Sequence, residues 1–150
     1  MQYGILTVGL WLVEIKHIKN KRIMSETIIN NYFKLLAEGN IPALFELFDP
    51  NVKWHQPGEN KFSGIKNGVD EIGQMIGGMM EDTAGSFKIV LASNVMVNKN
   101  LITAPVEFSA QKRSKSMKMK GIDLFKVENN KITEVWLFSD SQTDEDQFWK

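Results

Sequence analysis

Met117-Lys118-Met119-Lys120-Gly121-Ile122-Asp123-Leu124-Phe125-Lys126-Val127 is the stretch that decides the fold and the chemistry of this chain. Strand side chains alternate between faces, so Met117, Met119, Gly121, Asp123, Phe125 and Val127 share one side of a predicted strand. Lys118, Lys120 and Lys126 fall on the other side, with Ile122 and Leu124 between them. An acid set among Met, Phe and Val is costly to ionise, which raises its pKa. A carboxyl group that stays neutral donates a hydrogen bond, as an ordinary aspartate cannot. That is the chemistry of an oxyanion site. The strand alone also allows a plainer reading, an acid tied to a backbone amide or to a neighbouring Arg or Lys.

Outward from this strand the pattern stays β. Asn129-Asn130 predicts a tight hairpin into Lys131 to Ser139. Before it, Phe87 to Val97 turns at Asn98-Lys99-Asn100 and Leu101 to Gln111 returns, with a polar turn at Lys112 to Ser116. Pro105 implies an edge position or a bulge. The first half is helical. Ser25-Glu26 reads as an N-cap followed by an acid, and Ile28, Ile29, Tyr32, Phe33, Leu35 and Leu36 recur at helical spacing up to Gly39. Asn40-Ile41-Pro42 opens a second helix ending at Asp49-Pro50, Val52 to His55 forms a short strand, and a third helix runs from Val69 to about Met80. Helices, a short strand, a helix and then a meander predict a single α+β domain whose bent sheet encloses a pocket.

The 150 residues suit one domain with a genuine core. Formal net charge is zero, so no nucleic-acid footprint is expected; the lysines from Lys112 to Lys120 alternate with Ser and Met, as on the wet side of a strand. Cysteine is absent, which excludes disulfides, thiolate metal sites and Cys nucleophiles. Residues 1–24 differ from the rest: a mostly apolar run, Tyr3 to Ile15, precedes Lys16-His17-Ile18-Lys19-Asn20-Lys21-Arg22. A secretory signal has the reverse order, and the run is short for a membrane span. We expect an N-terminal extension outside the core, with residues 25–150 as the domain. A membrane-surface anchor is the alternative for the extension. No stable membrane insertion and a cytoplasmic location are expected.

Phosphate-cradling glycine motifs and nucleophile elbows are missing. The two histidines, His17 and His55, make no metal pattern. Proton transfer remains, or no chemistry. Trp54-His55-Gln56-Pro57-Gly58, continuing to Phe62-Ser63-Gly64, places a histidine at a strand end. If Val52 and Trp54 face the core, His55 points the other way or into a cleft. It is then a general base near neutral pH, or a structural histidine fixing the loop.

Leu44 to Gly64 and Gly121 to Ser139 resemble the ketosteroid-isomerase and SnoaL-like branch of the NTF2-like superfamily, a likeness extending from about Ser25 to Trp149. It implies a cone-shaped barrel: a curved antiparallel sheet wrapped around N-terminal helices. Ile122 to Val127 resembles the strand bearing the isomerase's neutral oxyanion-hole Asp, which Asp123 matches. Asn31 to Gly39 resembles the first isomerase helix, with Tyr32 at the position of the tyrosine that donates to the oxyanion. Counting back from Ser63-Gly64 sets His55 where the isomerase has its carboxylate base, a departure that makes steroid isomerisation itself doubtful. Asp140 matches the late Asp that SnoaL-like cyclases are thought to use as acid/base. Which face of the last strand lines the pocket stays open, since a bulge swaps the faces.

Trp54, Met117, Met119, Phe125 and Trp136 are expected to build an apolar cavity. Phe148-Trp149 would cover its mouth, join the core or face a dimer partner, and a homodimer follows from the resemblance. The implied activity needs no cofactor and no metal: an isomerase or polyketide cyclase-like enzyme moving a proton α to a carbonyl of a small hydrophobic substrate. The alternatives are a non-catalytic small-molecule-binding protein and a dimerising adaptor, since fold does not establish activity.

Overall fold

The computed structural model describes residues 3–150, and their side chains from Val8 onward. Eleven elements follow in order: α1 (Tyr3–Glu38), α2 (Ile41–Phe45), β1 (Phe48–Gln56), β2 (Gly64–Asn67), α3 (Gly68–Asp82), β3 (Lys88–Leu91), β4 (Met96–Asn98), β5 (Leu101–Lys112), β6 (Lys115–Glu128), β7 (Lys131–Ser139) and α4 (Gln142–Trp149). One curved sheet has the order β2-β1-β7-β6-β5-β3, with β4 also paired to β5. The sheet stays open, and its pairings are antiparallel except β1 with β7, which run parallel. The expected α+β fold is present as this curved, unclosed sheet packed against the N-terminal helices.

The helix of the first segment is longer than expected. Ser25 does not cap it: α1 runs through Ser25, which is buried. A serine caps only where the preceding chain leaves the helix, and no Pro or Gly lies between Lys16 and Gly39 to make it leave. Burial nevertheless begins at Ser25, while residues 8–24 are exposed. Met1 and Gln2 of the expected extension lie outside the described residues. Gly39, at φ +66°, ends α1. Its N–H bonds to Leu36 O and that of Asn40 to Leu35 O, the paired closure of a Schellman stop. The second helix is only one turn, because Phe48, Asp49 and Pro50 join β1 instead.

On β6 the alternation holds. Met117, Asp123, Phe125 and Val127 are buried, with Met119 and Gly121 half-buried on the same face. Pro105 is neither on an edge strand nor at a bulge: β5 is interior, but its outer partner changes there. Leu91 pairs with Val106 and Met96 with Thr103, so the missing N–H of Pro105 falls in the gap between β3 and β4. Asn129 and Asn130 both have positive φ, as a two-residue type I′ hairpin requires. On β7 the register slips between Lys126–Glu134 and Val127–Ile132, leaving Thr133 as an extra residue. Ile132 and Val135 therefore both face the core, and Glu134 and Trp136 face away from it.

Candidate functional site

A cavity of about 760 Å³ lies between the concave face of the sheet and the helices. Leu36 of α1, Met75, Ile76 and Met79 of α3, Phe45 and Phe87 supply much of its apolar wall. Trp54 and Gln56 enter it from alternate positions of β1, with Trp54 Nε1 donating to Gln56 Oε1 at 3.0 Å. The polar groups that line it include Tyr32, Asp123, Ser139 and Glu145.

Asp123 stands at the middle of β6, opposite Ala104 of β5 and Leu137 of β7. It is 2% exposed, and its Oδ2 is buried without a hydrogen-bond partner. Burial, and secondarily the charge of Glu145, push its pKa up to about 8. Such a carboxyl is a neutral donor near pH 7, and buried polar groups left unpaired are rare enough to call for an explanation. The plainer reading, an acid tied to a backbone amide or to Arg or Lys, does not describe Oδ2. Tyr32 is equally enclosed. Its ring meets Phe33, Phe48 and Phe125 edge-on at centroid distances of 5.0, 6.0 and 5.2 Å, which holds the phenol in place. Burial, then the charge of Asp123, raise the phenol pKa, so it remains a donor.

Glu145 is the cavity group that inspection of the sequence misses. It lies on α4 in the first turn and is 5% exposed. Burial raises its pKa most, with the Ser139, Trp149 and Gln142 side chains pulling the other way and the charge of Asp146 adding to the rise. The signal was available: Glu145, Phe148 and Trp149 stand at i, i+3 and i+4, one face of a short helix. Asp146, next along, ties α4 to residues 57–63 by accepting from Glu59 N at 3.0 Å, Asn60 Nδ2 at 2.7 Å and Gln142 Nε2 at 3.1 Å. Gly58, at φ +84°, permits that approach, because a Cβ there would strike Asp146 and Gln142. Trp149 lines the cavity and is locked by Phe62, Phe87 and Phe148.

Of the residues expected at the site, Tyr32, Asp123 and Trp54 come together here. The others are placed elsewhere. His55 lies between two cavity-facing residues of β1 and so projects from the opposite face. There its Nε2 is 2.7 Å from Glu134 Oε1, and its ring stacks on Trp136 at 5.1 Å with 5° between planes. Trp136 belongs to that outer cluster and not to the cavity, because the Thr133 bulge sends Leu137 and Ser139 inward instead. Asp140 is exposed just past the end of β7, its N–H bonded to Lys120 O. Phe125 is fully buried in the core beneath Tyr32. Met119 stands beside the wall, its sulfur 3.6 Å from Ser139 Oγ. Met117 borders a separate groove of about 600 Å³ with Ser86 and Ser109. Among the described residues no group of three or more His, Cys, Asp or Glu is placed to hold a metal.

Residues 29–135 match the family described as SnoaL-like domain. The chain is 38% identical to a protein of unknown function with cystatin-like fold from Xanthomonas campestris, with a TM-score of 0.79 covering 83% of this chain and 97% of that one. Bal32a, from a soil-derived mobile gene cassette, has a TM-score of 0.82 at 22% identity, covering 87% and 99%. An NTF2-like protein from Burkholderia xenovorans has a TM-score of 0.67 at 12% identity, covering 83% and 96%; these two likenesses concern the fold alone.

Proposed function

The chain belongs to the SnoaL-like domain family, and from that premise we propose that it moves a proton α to the carbonyl of a small hydrophobic substrate held in the cavity. The observation that carries this reading is the unpartnered, buried Asp123 carboxyl on the cavity wall. Protonated Asp123 and the Tyr32 hydroxyl donate to the carbonyl oxygen as it becomes an enolate oxygen. Fixed donors at the place where charge develops are the main electrostatic resource of such catalysis.

The proton acceptor is Glu145, in place of His55. Its carboxylate takes the α-proton, the C–H electron pair moves into the enolate, and the proton returns to carbon in an isomerisation. In a cyclisation the enolate carbon instead attacks a second carbonyl carbon of the same substrate, whose C=O π pair moves onto its oxygen and takes up the proton held by Glu145. Two carboxyl groups facing one cavity release their protons in two coupled steps. Between the two steps one acid and one base face the cavity together, the pairing that general acid–base catalysis uses. The homodimer expected from the resemblance would use the outer sheet face, where Ile122 and Phe138 are exposed near Trp136.

Titration with planar phenols, which mimic the enolate, tests the donor pair. Wild type binds them, and Tyr32→Phe weakens binding about fivefold to tenfold, the worth of one hydrogen bond. His55→Ala leaves the affinity unchanged, because its side chain is on the other face. Phenol affinity indifferent to Tyr32 would reject the oxyanion reading and leave an apolar binding cavity. Affinity lost with His55 would reject the placement of the site.

A further inference from the structure

We propose that the projecting half of α1 is a reversible membrane-surface anchor for anionic lipid, entering one leaflet end-on. Val8, Leu10, Trp11, Leu12, Val13 and Ile15 are between 43% and 69% exposed. At about 100° per residue these six leave no arc of the helix wider than about 100° without an apolar side chain. Glu14 is the one charge among residues 8–15.

That all-round character selects the occupant. A protein surface or a single partner helix covers one stripe and leaves the rest wet. An amphipathic helix lying in the membrane plane needs a polar face, which this segment lacks. Hydrocarbon covers every side at once, and beyond its first turn a helix satisfies its own backbone there. The thirteen residues from Tyr3 to Ile15 rise about 20 Å, less than the ~30 Å of a bilayer's hydrocarbon core. No helix among the described residues is long and apolar enough to cross a membrane. The segment therefore enters one leaflet only.

The charges complete the assignment. Lys16, Lys19, Lys21 and Arg22 follow directly and point to different sides of the same helix, making a collar at the depth of the lipid phosphates. Burial against the domain begins just beyond the collar, at Ser25, so the domain sits clear of the lipid.

The test is flotation of the full chain with vesicles of phosphatidylcholine alone, and with vesicles in which a third of the lipid is phosphatidylglycerol. We expect binding to the anionic vesicles about tenfold tighter than to neutral ones, weakened by salt. Leu12→Glu combined with Ile15→Glu abolishes flotation, and Lys19→Glu combined with Lys21→Glu removes the preference for anionic lipid. Both variants keep the far-ultraviolet circular dichroism and the urea midpoint of the wild-type domain, confirming that it is folded. Failure of the wild-type chain to float with anionic vesicles overturns the proposal. Self-association in solution without flotation, reversed by Leu12→Glu with Ile15→Glu, also overturns it and assigns the helix to other copies of the chain.

Discussion

Asp123→Leu is expected to make the protein more stable and its cavity inert. The wild-type carboxyl is buried with an unpartnered oxygen and a pKa of about 8 when folded, against 3.8 for a free side chain. Between those values the folded chain holds a proton that the unfolded chain has released. Stability therefore falls as pH rises through that window, and the loss is complete above the folded pKa. Leucine fills nearly the same space with no charge to bury and no polar atom to satisfy. The expected gain is on the order of 2–4 kcal/mol at pH 9 and smaller at pH 5, read from urea midpoints at the two pH values. Phenol affinity drops about tenfold in the same variant, since one donor to the phenol oxygen is lost. A variant less stable than wild type at both pH values would mean that the carboxyl is satisfied in the folded state. Stability spent on a functional group is a common trade in enzymes.

Glu145→Gln is expected to separate binding from chemistry. Hydrogen–deuterium exchange at the α-carbon of a bound ketone should fall by about 10²–10⁴-fold, the usual worth of a positioned general base. Phenol affinity at pH 6 should persist, because the donors Tyr32 and Asp123 are untouched. A second consequence follows from the electrostatics. The charge of Glu145 is one cause of the raised Asp123 pKa, so its removal lets Asp123 ionise earlier. The pH at which phenol affinity declines should then move down from that of wild type. Exchange that survives the substitution would remove Glu145 as the base, and an unmoved pH profile would show that the two carboxyls do not interact.

The centre of the site was legible because β6 is simple. Its apolar and lysine residues alternate, so the Asp123 side chain had one face to take, and that face is buried. Tyr32 was legible through helical spacing. His55 illustrates the conflict between two kinds of reading. Counting along a resemblance put it at a catalytic position, whereas plain alternation from Trp54 put it on the far face, where it pairs with Glu134. Alternation is the physical constraint, since a strand cannot turn two successive side chains to one side without a bulge. Such a bulge does occur at Thr133, and nothing in Lys131 to Ser139 announces it; it decides that Trp136 faces out and Leu137 in. The parallel pairing of β1 with β7 joins residues more than eighty positions apart, beyond any local pattern. Glu145 is hard to read from the sequence because Gln142 to Trp149 is mostly polar, and its buried face is only Glu145, Phe148 and Trp149.

The most direct test of the account is the titration of the Asp123 carboxyl itself. Carbon-13 labelled aspartate would be followed by NMR across the pH range, with the Asp123 signal identified by its loss in Asp123→Asn. A midpoint near pH 8 is predicted, with the neutral form present at pH 7 and able to donate into the cavity. A midpoint near pH 4 would contradict the account, because an ionised Asp123 at neutral pH has no proton to give an enolate.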